Sequence, residues 1–205
     1  MAMNPLDTYK FSALKKMSTL KSMREPWSIW QPLIRTHLTP RPDGQKILEL
    51  GEKLSAIFQS NKTAGRNQSD LSTGGIAWEC LNVWYLNLLF WGTPVVSVRT
   101  NKSLVPECLR NALTVNHSSV QTNTESDVSI FSVPEVHLLQ SGQTKELDSH
   151  LKTRMDQVDF VNLQCKTNWN DNAQIPMLWD AIYNSKGFKI SSITLGIKGF
   201  SPNSF

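Results

Sequence analysis

The sequence predicts an α/β fold, with a mixed central β-sheet flanked by helices and an N-terminal helical portion. Helical spacing of apolar residues dominates the first 60 positions, whereas runs rich in β-branched residues alternate with helical patterns from residue 95 onward. The length of 205 residues suits one domain with a proper core. We therefore expect a single domain over 1–205, with a helical portion at 1–60 and the functional core at 61–205.

Two helices are predicted in the N-terminal portion. Leu14, Met17, Leu20 and Met23 recur every three residues, which indicates an amphipathic helix ending near Pro26. Farther along, apolar residues at helical spacing predict a second helix that ends near Gln59. Basic residues are dense before position 25, which is typical of a solvated helix face: Lys10, Lys15, Lys16, Lys21 and Arg24.

A polar, glycine-containing segment precedes the most apolar part of the chain. Residues 61–75 predict a loop, and the run from Ile76 to Trp91 predicts a buried helix that Gly92 and Pro94 terminate. At 16 residues with an internal Glu79, this run is too short to cross a bilayer, so no membrane association is expected.

The remaining elements form the sheet and its covering helices. Strands are predicted at 95–98 and from Val128 to Val133, followed by a short helix from Glu146. The segment 158–166 has apolar residues on both faces and is predicted to be a central strand. A helix over 175–183 and a strand over 190–200 complete the order.

Composition and motif content restrict the cellular compartment and the types of active site that we expect. Cys80, Cys108 and Cys165 lack CxxC spacing, which favours reduced thiols in the cytoplasm, and no secretory signal is expected. The four histidines are scattered, so a zinc hydrolase has little support, and no nucleotide-binding glycine motif or G-x-S-x-G elbow is present. The net charge of +4 is compatible with a polyanionic partner without establishing one.

The strand that ends in Gln164-Cys165-Lys166 carries the clearest chemical pattern. Side chains alternate along a strand, so Gln164 and Lys166 share one face while Cys165 turns to the other and is expected in the core. With an acidic residue from a neighbouring strand, this pair could hold a divalent ion beside a phosphate, and Lys166 could assist the nucleophile.

This arrangement resembles the PD-(D/E)xK nuclease superfamily, which includes most type II restriction endonucleases. The superfamily pattern has a Glu on an early helix, an Asp at the start of a strand, and (D/E)-x-K on the adjacent strand. Here the corresponding positions are Glu79, Asp127 and Gln164-Cys165-Lys166. The resemblance implies that Asp127, Gln164 and Glu79 hold Mg²⁺ and that Lys166 completes the catalytic set.

The loop before the helix adds to the resemblance. The stretch from Arg66 to Glu79 is similar to the R-x-Q-S…S-x-G-G…E stretch of several restriction endonucleases, where it approaches DNA. The segment after Lys166 is similar to the K-T-N continuation of their active-site strands. The resemblance thus implies DNA contacts by a set of polar residues: Arg66, Gln68, Ser69, Ser72, Asn168 and Asn170.

Two positions depart from the superfamily pattern. Gln164 replaces an acid, and its amide oxygen can still bind magnesium but contributes no negative charge, so metal affinity is expected to be lower. The chain between Asp127 and Gln164 is long, which makes Asp159 a rival for the strand Asp. Asp159 lies five residues before Gln164, however, which places it on the opposite face and roughly 16 Å away, and Asp156 would lie farther still.

The resulting expectation is a magnesium-dependent, type II site-specific deoxyribonuclease that cleaves double-stranded DNA in the cytoplasm of a bacterial or archaeal cell. The resemblance also implies a homodimer, because a twofold enzyme matches a palindromic site. Two alternatives stay open. One is a DNA-binding relative that has lost catalysis, and the other is a nuclease of the same fold that acts on RNA, on DNA structure, or in defence.

Overall fold

The computed structural model describes residues 4–38, 42–61, 68–100, 105–112, 114–117, 120–123, 127–165 and 193–195. The helices in these ranges are α1 (Pro5–Ser18), α2 (Lys21–His37), α3 (Gly44–Gln59), α4 (Gln68–Leu89), α5 (Glu107–Ala112) and α6 (Thr144–Lys152). The strands there are β1 (Val95–Arg99), β2 (Thr114–His117), β3 (Val120–Asn123), β4 (Val128–Ser132), β5 (Phe160–Leu163) and β6 (Ile193–Leu195). Four helices come first and are followed by strands mixed with two shorter helices, which agrees with the predicted α/β class in general.

The prediction of one helix ending near Pro26 is wrong. α1 ends at Ser18, the extended backbone of Leu20 breaks the path, and α2 runs through both Pro26 and Pro32. Each proline removes a backbone hydrogen bond, but α2 buries a continuous stripe that includes Met23 and Trp30. Burial of one large apolar side chain contributes about 1.5–3 kcal/mol, which offsets the missing bonds.

The helix α3 confirms the second predicted helix, and α4 corrects the predicted loop. α4 begins at Gln68, so the second half of the polar segment 61–75 is helical. The segment from Gln68 to Gly75 has no proline, and a glycine lowers helix stability by only about 1 kcal/mol. Helix propagation from the apolar run therefore extends over it. The predicted end is confirmed, since Gly92 adopts a left-handed φ of 75° just after the helix.

Two small antiparallel sheets are described, and one of them forms the centre of the structure. β4 lies between β1 and β5, while the second sheet has the order β3-β2-β6. Every ladder in the described residues is antiparallel, so the mixed sheet is not observed there. The strand over 158–166 was predicted to be central, but in the described sheet β4 is the central strand and β5 lies at the edge. Val161 of β5 is accordingly 39% exposed.

Three elements were not predicted, and some predictions lie outside the described residues. The hairpin strands β2 and β3 and the short helix α5 lacked an apolar repeat in the sequence. β6 lies within the strand predicted over 190–200, whereas the helix predicted over 175–183 and the strand end at Lys166 fall outside the described residues. No helix among the residues described is long and apolar enough to cross a membrane.

The central sheet separates two hydrophobic clusters. Val96, Val98 and Phe131 face a cluster built with α1, α5 and α6. On the other face, Val128 joins a cluster formed by α2, α3 and α4, with Leu163 and Ile130 packed against it. Helices thus cover both faces of this sheet, and α4 lies against the same face as the side chains of β1 residues Ser97 and Arg99.

The loop before α6 is held by one carboxylate. Glu146 accepts hydrogen bonds from the backbone N–H groups of Gln140, Ser141 and Gly142, at 2.6, 2.9 and 3.0 Å, and from the Ser141 hydroxyl. Gly142 has a φ of 65°, and a Cβ there would lie 1.8 Å from the Pro5 carbonyl oxygen. These bonds, the one from the Ser141 hydroxyl first, lower the pKa of Glu146 to about 2.

Glu146→Gln is expected to destabilise the fold at neutral pH and to flatten its response to acid. Because the folded-state pKa lies below the ordinary value of 4.5, this carboxylate stabilises the fold above that value, and the stabilisation is lost as the pH falls toward about 2. Urea unfolding at pH 7 and pH 3 measures the effect, with Glu52→Gln on exposed α3 surface as control. If the free energy of unfolding changed between pH 7 and pH 3 as much in Glu146→Gln as in the wild type, this role of Glu146 would be contradicted.

Candidate active site

Three segments that are far apart in sequence meet at one end of the central sheet. Arg99 of β1 pairs with Val128 of β4, which pairs with Leu163 of β5. Asp127 directly precedes β4, and its backbone carbonyl accepts a hydrogen bond of 3.0 Å from the Thr100 N–H. The antiparallel register therefore places the beginning of β4 beside the end of β5.

The Asp127 side chain contacts Cys165, the middle residue of the predicted motif segment Gln164-Cys165-Lys166. Its Oδ2 atom accepts a hydrogen bond of 2.7 Å from the backbone N–H of Cys165. This bond joins positions that are 38 residues apart and orients the carboxylate at the sheet end. A buried or half-buried carboxylate that accepts a backbone N–H is held in one rotamer, which suits a ligand that must keep its geometry.

Glu79 reaches the same sheet end from α4. Its Oε2 atom accepts a hydrogen bond of 2.7 Å from Arg99 Nε, and the Glu79 and Arg99 side chains are 14% and 17% exposed. Burial raises the pKa of Glu79, Arg99 opposes that shift, and the negative charge of Asp127 adds to it. The two carboxylates are thus electrostatically coupled, with Arg99 as a compensating cation.

Gln164 follows the last residue of β5 and directly precedes Cys165, whose N–H donates to Asp127. Leu163 and Cys165 both pack against the helical cluster on the α4 face. Gln164, between these two residues, is half-buried. Gln164 and Glu79 therefore come to this sheet end from two different elements, the end of β5 and α4.

Cys165, which was expected in the core, is partly buried and packs against the hydrophobic cluster on the α4 face. Burial first, and then the negative charges of Asp127 and Glu79, raise its pKa to about 12. Such a thiol stays protonated at neutral pH and is a poor nucleophile. The neighbouring thiol of Cys80 behaves alike, because burial raises its pKa to about 11.

The rival acids lie elsewhere. Asp159 exchanges hydrogen bonds with Ser132, at the end of the β4–β5 ladder away from Asp127. Asp159 and Asp156 are both exposed. Only Asp127 of these three therefore stands beside the motif segment.

Other predicted site residues are placed only in part. A loop was predicted for Gln68, Ser69 and Ser72, but these three residues lie in the first turns of α4. Lys166 and three of the residues assigned to DNA contacts lie outside the described residues: Arg66, Asn168 and Asn170. The described geometry thus brings Glu79 and Asp127 to one sheet end and places Gln164 beside Cys165, whose N–H bonds to Asp127.

Arg99 belongs to this site and was not identified from the sequence. An arginine that ends a strand carries no signal of its own, because many strands end in a charged residue. Its role depends on the pairing of β1 with β4 and on the packing of α4, which bring Arg99 and Glu79 together across 20 positions.

The side-chain chemistry suits an oxygen-binding cation. Among the described residues, no group of three His, Cys, Asp or Glu side chains could hold a metal ion. The donors at the sheet end are two carboxylates and the amide oxygen of Gln164. Magnesium binds through one or two carboxylates and keeps several waters, so this donor set fits magnesium better than zinc, which prefers nitrogen and sulfur.

No family model matches the sequence, and the searches of curated proteins and of solved structures likewise found no match.

Proposed function

We propose that this protein is a magnesium-dependent endonuclease of the PD-(D/E)xK type, which hydrolyses phosphodiester bonds of double-stranded DNA in a sequence-specific manner. One observation carries the proposal: the Asp127 carboxylate accepts a hydrogen bond from the backbone of the Gln164-Cys165-Lys166 segment, beside Glu79. The sequence pattern predicted that these segments would meet, and a chance set of residues 38 and 48 positions apart need not do so.

Each residue has a distinct part in the proposed reaction. Asp127 is oriented by the Cys165 N–H, and its other oxygen is the atom that we assign to the metal, together with Glu79 and the Gln164 amide. Bound Mg²⁺ would act as a Lewis acid on the scissile phosphate and lower the pKa of water. Lys166 offsets charge that develops on the phosphoryl oxygens and orients the attacking water.

Arg99 tunes the charge of this site. Its ion pair with Glu79 counteracts the burial that raises the pKa of this carboxyl group. The same ion pair reduces the net negative charge available to a cation. Gln164 adds no charge, so the metal would be held by two carboxylates, one of which is shared with Arg99.

Gln164→Glu is therefore expected to lower the magnesium concentration needed for half-maximal cleavage by about tenfold. An added carboxylate at a metal site contributes on the order of 1–2 kcal/mol in partly exposed surroundings, which corresponds to about one decade in affinity. Cleavage across a magnesium titration measures the change, with the exposed Gln157→Glu as the matched control. An unchanged or higher requirement in Gln164→Glu would remove Gln164 from the metal site.

The proposal is tested by incubating the purified protein with phage-length duplex DNA, in magnesium or in EDTA, beside Lys166→Ala. Discrete fragments that require magnesium and disappear in the variant are the expected result. A smear would mean a nuclease without sequence specificity. Cleavage that persists in Lys166→Ala would place the chemistry elsewhere in the chain.

A second candidate function is a DNA-binding relative that does not cleave. The neutral Gln164 and the neutralising Arg99–Glu79 pair favour it, because both weaken the attraction of the site for a cation. Such a protein would bind duplex DNA equally in calcium and magnesium and leave it intact. The proposed homodimer would be compatible with either function, since both read a palindromic site with twofold symmetry.

A further inference from the structure

The junction of α1 and α2 concentrates positive charge. Lys15 and Lys16 lie in the last turn of α1, and Lys21 and Arg24 lie in the first turns of α2; all four are exposed. We call these four residues the basic corner. Beneath the corner, Met17 and Met23 are buried, and the backbone carbonyl of Leu20 accepts hydrogen bonds from Met23 and Arg24. Buried apolar side chains thus fix the position of this junction, while its four cationic side chains are exposed.

Few carboxylates compensate the corner within its own segment. The only acid from residue 15 to residue 25 is Glu25, whose oxygen is 3.8 Å from Lys21 Nζ, with side chains 58% and 77% exposed. An exposed pair of this kind contributes little. On α3, in contrast, the two lysines Lys46 and Lys53 are accompanied by the two acids Glu49 and Glu52, and Lys46 pairs with Glu49 at 2.7 Å.

Helix stability explains only half of the corner. Lys15 and Lys16 complement the negative end of the α1 dipole. Lys21 and Arg24 stand at the positive end of α2, which has no acidic residue in its first turn. Cations at that end oppose the dipole by about 0.3–1 kcal/mol each. Their position therefore costs stability to α2 and is better explained by an external partner of negative charge.

We infer that the basic corner binds the phosphate backbone of duplex DNA; this inference rests on the proposed function for the choice of DNA as the polyanion. Met17 belongs to the same hydrophobic cluster as Cys80, which neighbours Glu79 on α4. The corner thus lies on the α4 side of the central sheet, from which Glu79 approaches the candidate active site. Lysine and arginine side chains that contact phosphates fix the protein on DNA without reading its sequence.

The test compares two variants that each lose four positive charges. The corner variant carries Lys15→Gln, Lys16→Gln, Lys21→Gln and Arg24→Gln. The control variant carries the same change at four exposed cations on other parts of α2, α3 and α6: Arg35, Lys53, Lys145 and Lys152. Far-UV circular dichroism and thermal unfolding confirm that both variants are folded.

Binding of a short labelled duplex in calcium is measured by fluorescence anisotropy across a salt series. Because each phosphate contact contributes about 0.9 to the slope of log K against log salt, the corner variant should lose about two to four from the slope and at least about tenfold in affinity. The control variant should retain the wild-type slope.

Equal losses in both variants would reduce the effect to net charge and overturn the inference, as would an unchanged slope in the corner variant. Failure of the proposed function is a separate result. A wild-type protein that binds DNA through the corner but never cuts it keeps the inference and loses the nuclease. If the wild-type protein cuts DNA but the corner variant binds DNA normally, the nuclease proposal stands and the inference about the basic corner fails. Absence of any duplex binding by the wild type would overturn both.

Discussion

Asp127→Asn should reduce magnesium-dependent DNA cleavage by at least about a hundredfold while leaving the fold intact. Asparagine retains a side-chain oxygen that can accept the hydrogen bond from the Cys165 N–H, so the junction of β4 and β5 is preserved. What is lost is one of the two carboxylate charges near the proposed metal position. Metal-assisted stabilisation of a phosphoryl transition state contributes several kcal/mol, and about 2.7 kcal/mol corresponds to a hundredfold in rate.

The matched control for Asp127→Asn is Asp159→Asn. Asp159 is the rival aspartate, lies on β4–β5 ladder surface away from the candidate site, and hydrogen-bonds to Ser132. Initial cleavage rates at saturating magnesium, together with urea unfolding of both variants, separate chemistry from stability. Normal cleavage by Asp127→Asn, or a greater loss of cleavage in Asp159→Asn, would show that Asp127 is not the strand aspartate of the active site.

Lys10→Met should lower the free energy of unfolding by about 3–5 kcal/mol, the cost of breaking a buried ion pair by removing one partner. Lys10 is fully buried, and its Nζ donates to Asp7 Oδ1 at 3.0 Å and to the carbonyls of Phe90 and Thr93 at 2.6 and 2.9 Å. Burial lowers the pKa of Lys10, and Asp7 counteracts this shift. Methionine matches the length but donates nothing, so Asp7 and two carbonyls lose their donor.

Urea unfolding of Lys10→Met beside Lys16→Met tests this prediction. Lys16 lies on the same helix, is exposed, and should change stability by no more than about 0.5 kcal/mol. The double variant Asp7→Leu with Lys10→Met should recover part of the loss, because it removes the uncompensated charge. Equal stabilities of Lys10→Met and Lys16→Met would contradict the structural role of the buried pair.

Elements with a strong local pattern were predictable from the sequence. The β-branched run at 95–98, the strand after Asp127 and the apolar repeat of α3 determine their own secondary structure, because each pattern matches a single period. α2 was not predictable, because the two prolines oppose a helix and only the buried stripe beneath it compensates. Lys10 illustrates the same limit: its sequence context is that of a solvated cation, whereas tertiary packing buries it.

The candidate site shows a similar division. Glu79, Asp127 and Gln164 could be selected because their order and spacing resemble a known pattern, and the described sheet places them at one end. Arg99 could not be selected, because its contact with Glu79 arises from the β1–β4 register and the docking of α4.

A single experiment addresses the central proposal, that this sheet end is a magnesium-dependent DNA-cleaving site. The wild-type protein is bound to duplex DNA in calcium, magnesium is then added in excess, and the DNA is followed over time on a gel. The expected result is intact, bound DNA in calcium and discrete fragments after magnesium is added. DNA that stays bound and intact in magnesium would contradict it and would favour a relative that binds without cutting.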